Sequence, residues 1–437
     1  MKKHLPLLLF SIILAGCSPG VEEKPNFIII MADDLGYSGI GCYGNKVIET
    51  PNLDKMAEEG IRFTDFHSNG TVCSPTRAAL LTGKYQQRTG IEGVVTAARH
   101  RDVGLDIEEV TFADALKEKG YVTGIFGKWH VGYASEFNPV LQGFDEFKGY
   151  VSGNVDYHAH IDQEGYFDWW EGEELKDDRG YTTDLITGYG VEFIKENRDK
   201  PFLLYLPHEA PHSPFQRRTG DPVRETGSNK SVIVPADSIP GIYKEMVEVM
   251  DEGIGEIIQT LKDLGIDRNT MVFFCSDNGG ARNYGHNEPL RGHKGQVYEG
   301  GHRVPAIAWW PGKIQPGVES GEILMTMDIF PTMLELSGSG TGQELDGISL
   351  TEVFLKNGEL PGRDIFWRSY KNKAVRSEQW KLVVSGESTE LYNLDEDLAE
   401  TNNLAVSNPE KVDMLLEKLK TWEKDVSEGV MLLTGER

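Results

Sequence analysis

Apolar runs and amphipathic stretches alternate along most of the chain. Residues 26–34, NFIIIMADD, form a continuous apolar run ending in two carboxylates. This predicts a strand buried on both faces, with Asp33 and Asp34 at its carboxyl tip. Short apolar runs bounded by proline or glycine predict further strands at 201–207 (PFLLYLP), 270–279 (TMVFFCSDNG) and 304–311 (VPAIAWWP), and YVTGIFG at 121–127 predicts another. Between them, PNLDKMAEEG (51–60) and TFADALKEKG (111–120) predict helices closed by glycine, and PTRAALLTG (75–83) a helix with Pro75 in its first turn. Residues 182–198 and 241–265 carry helical periodicity. The β-α alternation predicts an α/β fold, a large, mostly parallel sheet flanked by helices.

The pattern changes after about residue 340. GSGTGQELDG predicts a loop, and DIFWRSY, KAVRSEQWKLVVS and ELYNLD predict antiparallel strands. NPEKVDMLLEKLKTWEKDV predicts a last amphipathic helix. We therefore expect a main domain over 26–358 and a smaller C-terminal antiparallel-sheet subdomain over 359–437. At the other end, Lys2 and Lys3 precede the apolar run LPLLLFSIILAG, which predicts a signal peptide over 1–16. Leu14-Ala15-Gly16-Cys17 resembles a bacterial lipobox, which implies lipidation of Cys17, a tether over 17–25 and a lipid-anchored, exported protein of the periplasm or outer cell surface.

Charge narrows the function. Sixty-nine acidic residues against 44 Lys and Arg give a formal net charge of -25. Such a body repels nucleic acid, so no nucleic-acid partner is expected. An anionic substrate then needs a locally positive pocket. Of the four cysteines, Cys17, Cys42, Cys73 and Cys275, the last lies in an apolar run and reads as a buried core thiol, and no disulfide framework is implied.

Asp33, Asp34, Asp277 and Asn278 all fall at predicted strand ends, where open α/β sheets bind ligands. Four oxygen ligands suit Ca²⁺, with Mg²⁺ second, and not zinc. Either pair alone is also a common turn sequence. Residues 73–77 read Cys-Ser-Pro-Thr-Arg and run into AALLTGKYQQRTG. This resembles the sulfatase signature. MADDLGYSGIGCYGN, GYVTGIFGKWH, LPHEAPHSPF, CSDNGG and LRGHKGQVYEGGHRVP match further family segments in the same order, as do the terminal strands. The chain thus resembles the formylglycine-dependent sulfatases of the alkaline phosphatase superfamily, in the arylsulfatase and N-acetylgalactosamine-6-sulfatase branch.

The resemblance implies a hydrolase for sulfate esters, with Cys73 oxidised to formylglycine on the metal site of Asp33, Asp34, Asp277 and Asn278. It implies a maturing partner, either a formylglycine-generating or an anaerobic sulfatase-maturating enzyme. It gives Arg77 the task of holding residue 73, Lys128 and Lys294 that of binding sulfate oxygens, His130 that of base and His212 that of general acid. The chemistry needs these types: charge must be neutralised, an oxygen nucleophile activated and the leaving oxygen protonated. Thr76 stands where serine is more usual, and His293 where a small residue is common. The segment 153–174, GNVDYHAHIDQEGYFDWWEGEE, offers aromatic, histidine and acidic groups for a sugar and reads equally as a structural loop. Within it, His158 and His160 alternate like strand neighbours and are candidates, with His293, for substrate contact. The branch implies a sulfated galactose or N-acetylgalactosamine, cleaved from a chain end. Two other functions stay open on sequence: a phosphonate monoester or phosphodiester hydrolase of the same superfamily, and a non-catalytic glycan-binding lipoprotein.

Overall fold

A computed structural model describes residues 24–338, 340 and 344–433; the expected signal peptide and Cys17 lie outside the described residues. In chain order the strands are β1 (Asn26–Ala32), β2 (Ile61–Phe63), β3 (Phe66–His67), β4 (Val122–Lys128), β5 (Glu146–Tyr150), β6 (Trp170–Glu171), β7 (Glu174–Leu175), β8 (Phe202–Pro207), β9 (Thr270–Ser276), β10 (Ala306–Trp309), β11 (Val318–Ser320), β12 (Leu324–Met325), β13 (Asp364–Ser369), β14 (Asn372–Ser377), β15 (Trp380–Ser385) and β16 (Ser388–Asn393). The helices are α1 (Pro51–Glu58), α2 (Cys73–Thr82), α3 (Phe112–Lys117), α4 (Thr182–Asn197), α5 (Ile239–Leu264), α6 (Glu299–His302), α7 (Ile329–Leu336), α8 (Thr351–Lys356) and α9 (Pro409–Ser427).

Ten strands form one sheet in the order β11-β2-β10-β9-β1-β8-β4-β5-β6-β7. Its centre is parallel: β1 lies between β8 and β9, and β4 between β8 and β5. β1 is buried throughout, as its unbroken apolar run requires. Alternation along the strand divides its side chains between two cores. Phe27, Ile29 and Met31 pack with Leu80 of α2, Phe112 of α3 and Phe330 of α7. Ile28 and Ile30 pack on the other face with Ile186 of α4 and Met246 and Ile254 of α5. Local signals set the helix ends. Thr111 caps α3 through a capping box with Asp114, and Gly265 closes α5 in the left-handed conformation.

Two expectations change in detail. The run at 304–311 yields β10, but β10 is antiparallel to both β9 and β2. Apolar composition marks a buried strand and not its direction. KAVRSEQWKLVVS is a hairpin, β14 and β15, broken at Glu378, whose φ is +54°. β13 to β16 form an antiparallel meander. Trp367, Leu382 and Leu391 of this sheet share a third core with Leu419 and Trp422 of α9, and Tyr85 and Met327 enter it from the large unit. Residue 358 falls in the coil between α8 and β13.

Candidate active site

The ends of β1 and β9 are in register, Ala32 opposite Ser276, and Asp277 N–H donates to the Ala32 carbonyl. Two strands distant in sequence therefore deliver Asp33, Asp34, Asp277 and Asn278 to one point. Asp34 turns out of the strand at φ +64°; its N–H donates to Asp277 Oδ1 (3.2 Å), and Asn278 Nδ2 donates to Asp34 Oδ1 (2.8 Å). Gly279 then passes so close to α6 that a Cβ there would meet the Gly300 carbonyl oxygen at 1.9 Å, so only glycine fits.

α2 begins at Cys73, two residues earlier than Pro75 suggested, and all ten of its residues are buried. Its positive end therefore lies at residue 73. The Cys73 thiol is 3.4 Å from Asp33 Oδ1, and Lys294 Nζ is 3.5 Å from Sγ. One turn along, Arg77 Nη2 donates to Asp277 Oδ2 (3.0 Å) and Nη1 to the Lys128 carbonyl (3.0 Å). Lys128, the last residue of β4, donates to Asp33 Oδ2 at 2.6 Å. Lys294 pairs with Asp34 Oδ1 at 2.6 Å, and its loop is pinned where Gly295 N–H donates to the Thr71 carbonyl. His212 follows β8, with Nε2 3.6 Å from Asp34 Oδ2. Nine of the ten residues implied by the family resemblance are thus linked through these contacts, and the tenth, His130, lines the same cavity as Cys73.

Three carboxylates face three cations. Burial pushes Asp34 up, but Lys294 and His212 outweigh it and hold the carboxyl at about 2. Asp277 is pushed up to about 6 by burial and by Asp33 beside it. A cation among these oxygens would relieve that repulsion. Asn278 Oδ1 is buried with no hydrogen-bond partner, an acceptor left over in an otherwise bonded set. With hard oxygen donors and this spare acceptor, the four residues fit a divalent cation. His130 Nε2–H donates to the Val95 carbonyl (2.9 Å), so Nδ1 carries the lone pair, and Nδ1 has no partner. Burial, then Lys128, holds its pKa well below 6.5. His212 Nδ1–H donates to the Ser213 carbonyl, and burial with Lys294 holds this ring at about 3.

A sulfatase family model matches residues 25–339, and a model described as N-sulphoglucosamine sulphohydrolase, C-terminal, matches 293–426. The chain belongs to the sulfatase family. It is 36% identical to the N-acetylgalactosamine-6-sulfatase of Canis lupus familiaris over 402 residues, covering 86% of this chain and 74% of the relative. It is 33% identical to human arylsulfatase A over 416 residues, covering 86% and 77%. The crystal structure of Ps i-CgsB in complex with k-i-k-neocarrahexaose superposes with a TM-score of 0.85 at 30% identity, over 94% of this chain and 95% of that one. The protein is a sulfuric ester hydrolase.

A cavity of about 120 Å³ opens over Cys73, lined by His130, His212 and Lys294. The segment 153–174 does reach this cavity of the sulfatase, through Gly153, Asn154, Asp162, Gln163 and Glu164. The histidines expected there do not. His160 is buried against Trp169, ring centroids 4.2 Å apart, with Nε2 on the Gly180 carbonyl. His158 bonds the Arg217 carbonyl and packs on Tyr181. Both hold the loop together, because the chain turns at His160 (φ +54°) and carries them away from the opening. His293 also stays outside the cavity wall; its Nδ1 bonds the Lys294 carbonyl. The opposite wall, Val94 to Ala97, and Tyr133 and Ser152 were not anticipated. No spacing in the sequence marks them, because their place depends on how two loops meet. Cys275 is fully buried, as expected, and Cys42, Cys73 and Cys275 are free thiols.

Proposed function

We propose that this sulfatase removes sulfate from a terminal galactose or N-acetylgalactosamine residue of a sulfated glycan, with Cys73 oxidised to formylglycine and Ca²⁺ held by Asp33, Asp34, Asp277 and Asn278. The reading is carried by one observation. Residue 73 heads a buried helix between Asp33 and Lys294, in a cavity whose wall also holds one histidine with a bare nitrogen and another beside Asp34. Ca²⁺, favoured over Mg²⁺ by the irregular oxygen set, would supply positive charge against the ester and lower the pKa of a hydroxyl beside it.

The side chains divide the work. Lys128 and Lys294 neutralise the ester oxygens, and Arg77 fixes Asp277 and the end of β4. One hydroxyl oxygen of the hydrated residue 73 forms a bond to sulfur as the bond from sulfur to the sugar oxygen breaks. His212 donates the proton that the sugar oxygen needs; its ring gains that proton when an anionic ester enters beside it. His130 Nδ1 then accepts the proton of the second hydroxyl. The C=O bond reforms, the C–O bond to sulfate breaks, and no water has to attack sulfur.

The N-acetylgalactosamine-6-sulfatase relatives and the neocarrahexaose held by Ps i-CgsB support a galactose-type glycan. Peptide mass spectrometry tests the nucleophile: residue 73 should lose sulfur and gain oxygen, and a fully active protein with an intact thiol there would overturn the reading. Co-expression with a formylglycine-generating or anaerobic maturating enzyme should raise the active fraction. Elemental analysis should find one calcium; stoichiometric zinc would overturn the metal assignment. We further propose export and lipid anchoring through Cys17, supported by the sequence alone. Cys17→Ser should release the protein from the membrane fraction, and retention of the variant there would count against the anchor.

A further inference from the structure

Beside the catalytic cavity lies a wider cleft of about 330 Å³. The two share Ala97 and Glu164 as lining residues, so they adjoin across those side chains. The cleft's other walls carry Arg99, Arg101 and Tyr166. Tyr166 is 60% exposed, and the Arg101 guanidinium lies over its ring, 4.8 Å from the centroid. Neither arginine forms an ion pair among the described residues. Most described arginines of this chain, with its 69 acids against 44 bases, are ion-paired; Arg224, Arg268 and Arg282 are the other exceptions. Several partly exposed arginines elsewhere are paired, Arg88 with Asp346, Arg217 with Glu245 and Arg291 with Glu390.

The catalytic cavity, at about 120 Å³, is far below the ~300 Å³ where pockets for larger ligands begin. A space of that size favours a chain end over the interior of a chain. The next residue must leave through an opening, and the cleft shares its wall with the cavity. Resting on the glycan reading above, we propose that this cleft binds the anionic group, sulfate or carboxylate, of the sugar adjoining the one that is desulfated. The preferred substrate is then a polyanionic glycan. Guanidinium forks match both groups in bidentate geometry, and stacking on Tyr166 holds one fork in place before binding. Glu164 stands on the wall between the two spaces. Its carboxylate accepts from sugar hydroxyls and repels an anion placed there, which keeps the second charge out over the arginines. Asp102, the other carboxylate lining the cleft, forms no ion pair with either arginine among the described residues.

Three disaccharides test this. All carry the same terminal sulfated galactose-type residue; the neighbour is a uronate, a sulfated hexose or a neutral hexose. The native enzyme should favour the charged neighbours over the neutral one by about tenfold in kcat/KM, mostly through KM, as two exposed pairs allow. The better of the two charged substrates identifies carboxylate or sulfate as the natural group. The preference should shrink as ionic strength rises. Arg99→Ala/Arg101→Ala should abolish it, and Arg99→Lys/Arg101→Lys should keep part of it. Turnover of nitrophenyl sulfate serves as the internal reference for folding and maturation. Equal kcat/KM on all three disaccharides, or a preference that survives the double alanine variant, overturns the cleft assignment and leaves the glycan reading standing. Turnover of nitrophenyl sulfate with none of the disaccharides overturns both.

Discussion

The active site and the joint between the large sheet and the C-terminal meander are both built from buried charges. At the joint, Asp65, Glu299 and Glu400 meet Arg303, Arg376 and Lys381, with His67 and His302 between them. Lys381 lies 2.8 Å from Glu299 and 2.9 Å from Glu400, and Arg376 donates to both Asp65 oxygens at 2.6 Å. His67, Glu299 and His302 have the spacing of a metal site, but Lys381 already supplies the cation: its ammonium is also 3.1 Å from His302 Nε2. Each carboxylate has a cation, and none of these side chains lines the cavity over Cys73. The active site has the same numbers of carboxylates and cations, yet it keeps a bare Asn278 oxygen and a bare His130 nitrogen, and it borders an opening. Buried charge that is matched and sealed joins elements; buried charge with spare valence and access performs chemistry.

That contrast can be broken at either cluster. The largest effect is expected at Cys73→Ala, which should lower turnover by about 10⁴-fold or more, as loss of a covalent nucleophile does, while the urea midpoint stays near that of the native protein. His212→Ala should slow sugar sulfates by about 10²–10⁴-fold and nitrophenyl sulfate far less, because a phenolate leaves without a proton. Equal slowing of both would make His212 a sulfate binder only. At the joint the balance should invert. Lys381→Met strands Glu400 and leaves Glu299 only Arg303, and should cost about 3–5 kcal/mol in urea unfolding, with turnover per folded molecule retained. Lost turnover at native stability would show that the joint acts on the chemistry.

The smallest effect is a pH signature. Burial chiefly holds His67 below 6.5 and His302 well below it, so both stay neutral in the fold. Below pH 6.5 the unfolded chain binds protons that the fold refuses. Stability should therefore fall as pH drops from 6.5 towards 5, by at most about 1.4 kcal/mol per unit for each ring, and be flat from this source above 7. In Lys381→Met the sign for His302 reverses. Facing Glu299 without a competing ammonium, it takes up a proton, and the deficit against the native protein should narrow below pH 6.5. A deficit that stays constant between pH 7.5 and 5 would falsify this account of the joint.

The two clusters also differ in how they show in the sequence. Asp33, Asp34, Asp277 and Asn278 sit directly after apolar runs, so strand and site are announced together, and Cys73 and Arg77 share a local motif. The joint gives no such signal. Lys381 and Arg376 lie in a strand with ordinary alternation, Glu400 in an acidic loop, and each looks like a solvated charge until the meander folds against α6. The same limit explains His158 and His160. Their strand-like spacing suggested contact with substrate, but the left-handed turn at His160 is a tertiary fact. The direction of β10 was equally hidden, since parallel and antiparallel buried strands share one composition. Local pattern specifies elements and strand-end chemistry; which loops close over them follows from packing.

The burial of Cys73 also orders events in the life of the chain. Its side chain is 2% exposed, at the head of a helix with no solvent-facing residue. Another enzyme cannot bring its own catalytic centre to an atom so enclosed. On the formylglycine reading proposed above, oxidation of Cys73 therefore belongs to the nascent chain, before α2 packs into the core it shares with α7. Given the export proposed above, maturation, export and folding then compete in time, and the active fraction of any preparation is set by that race before the first substrate is met.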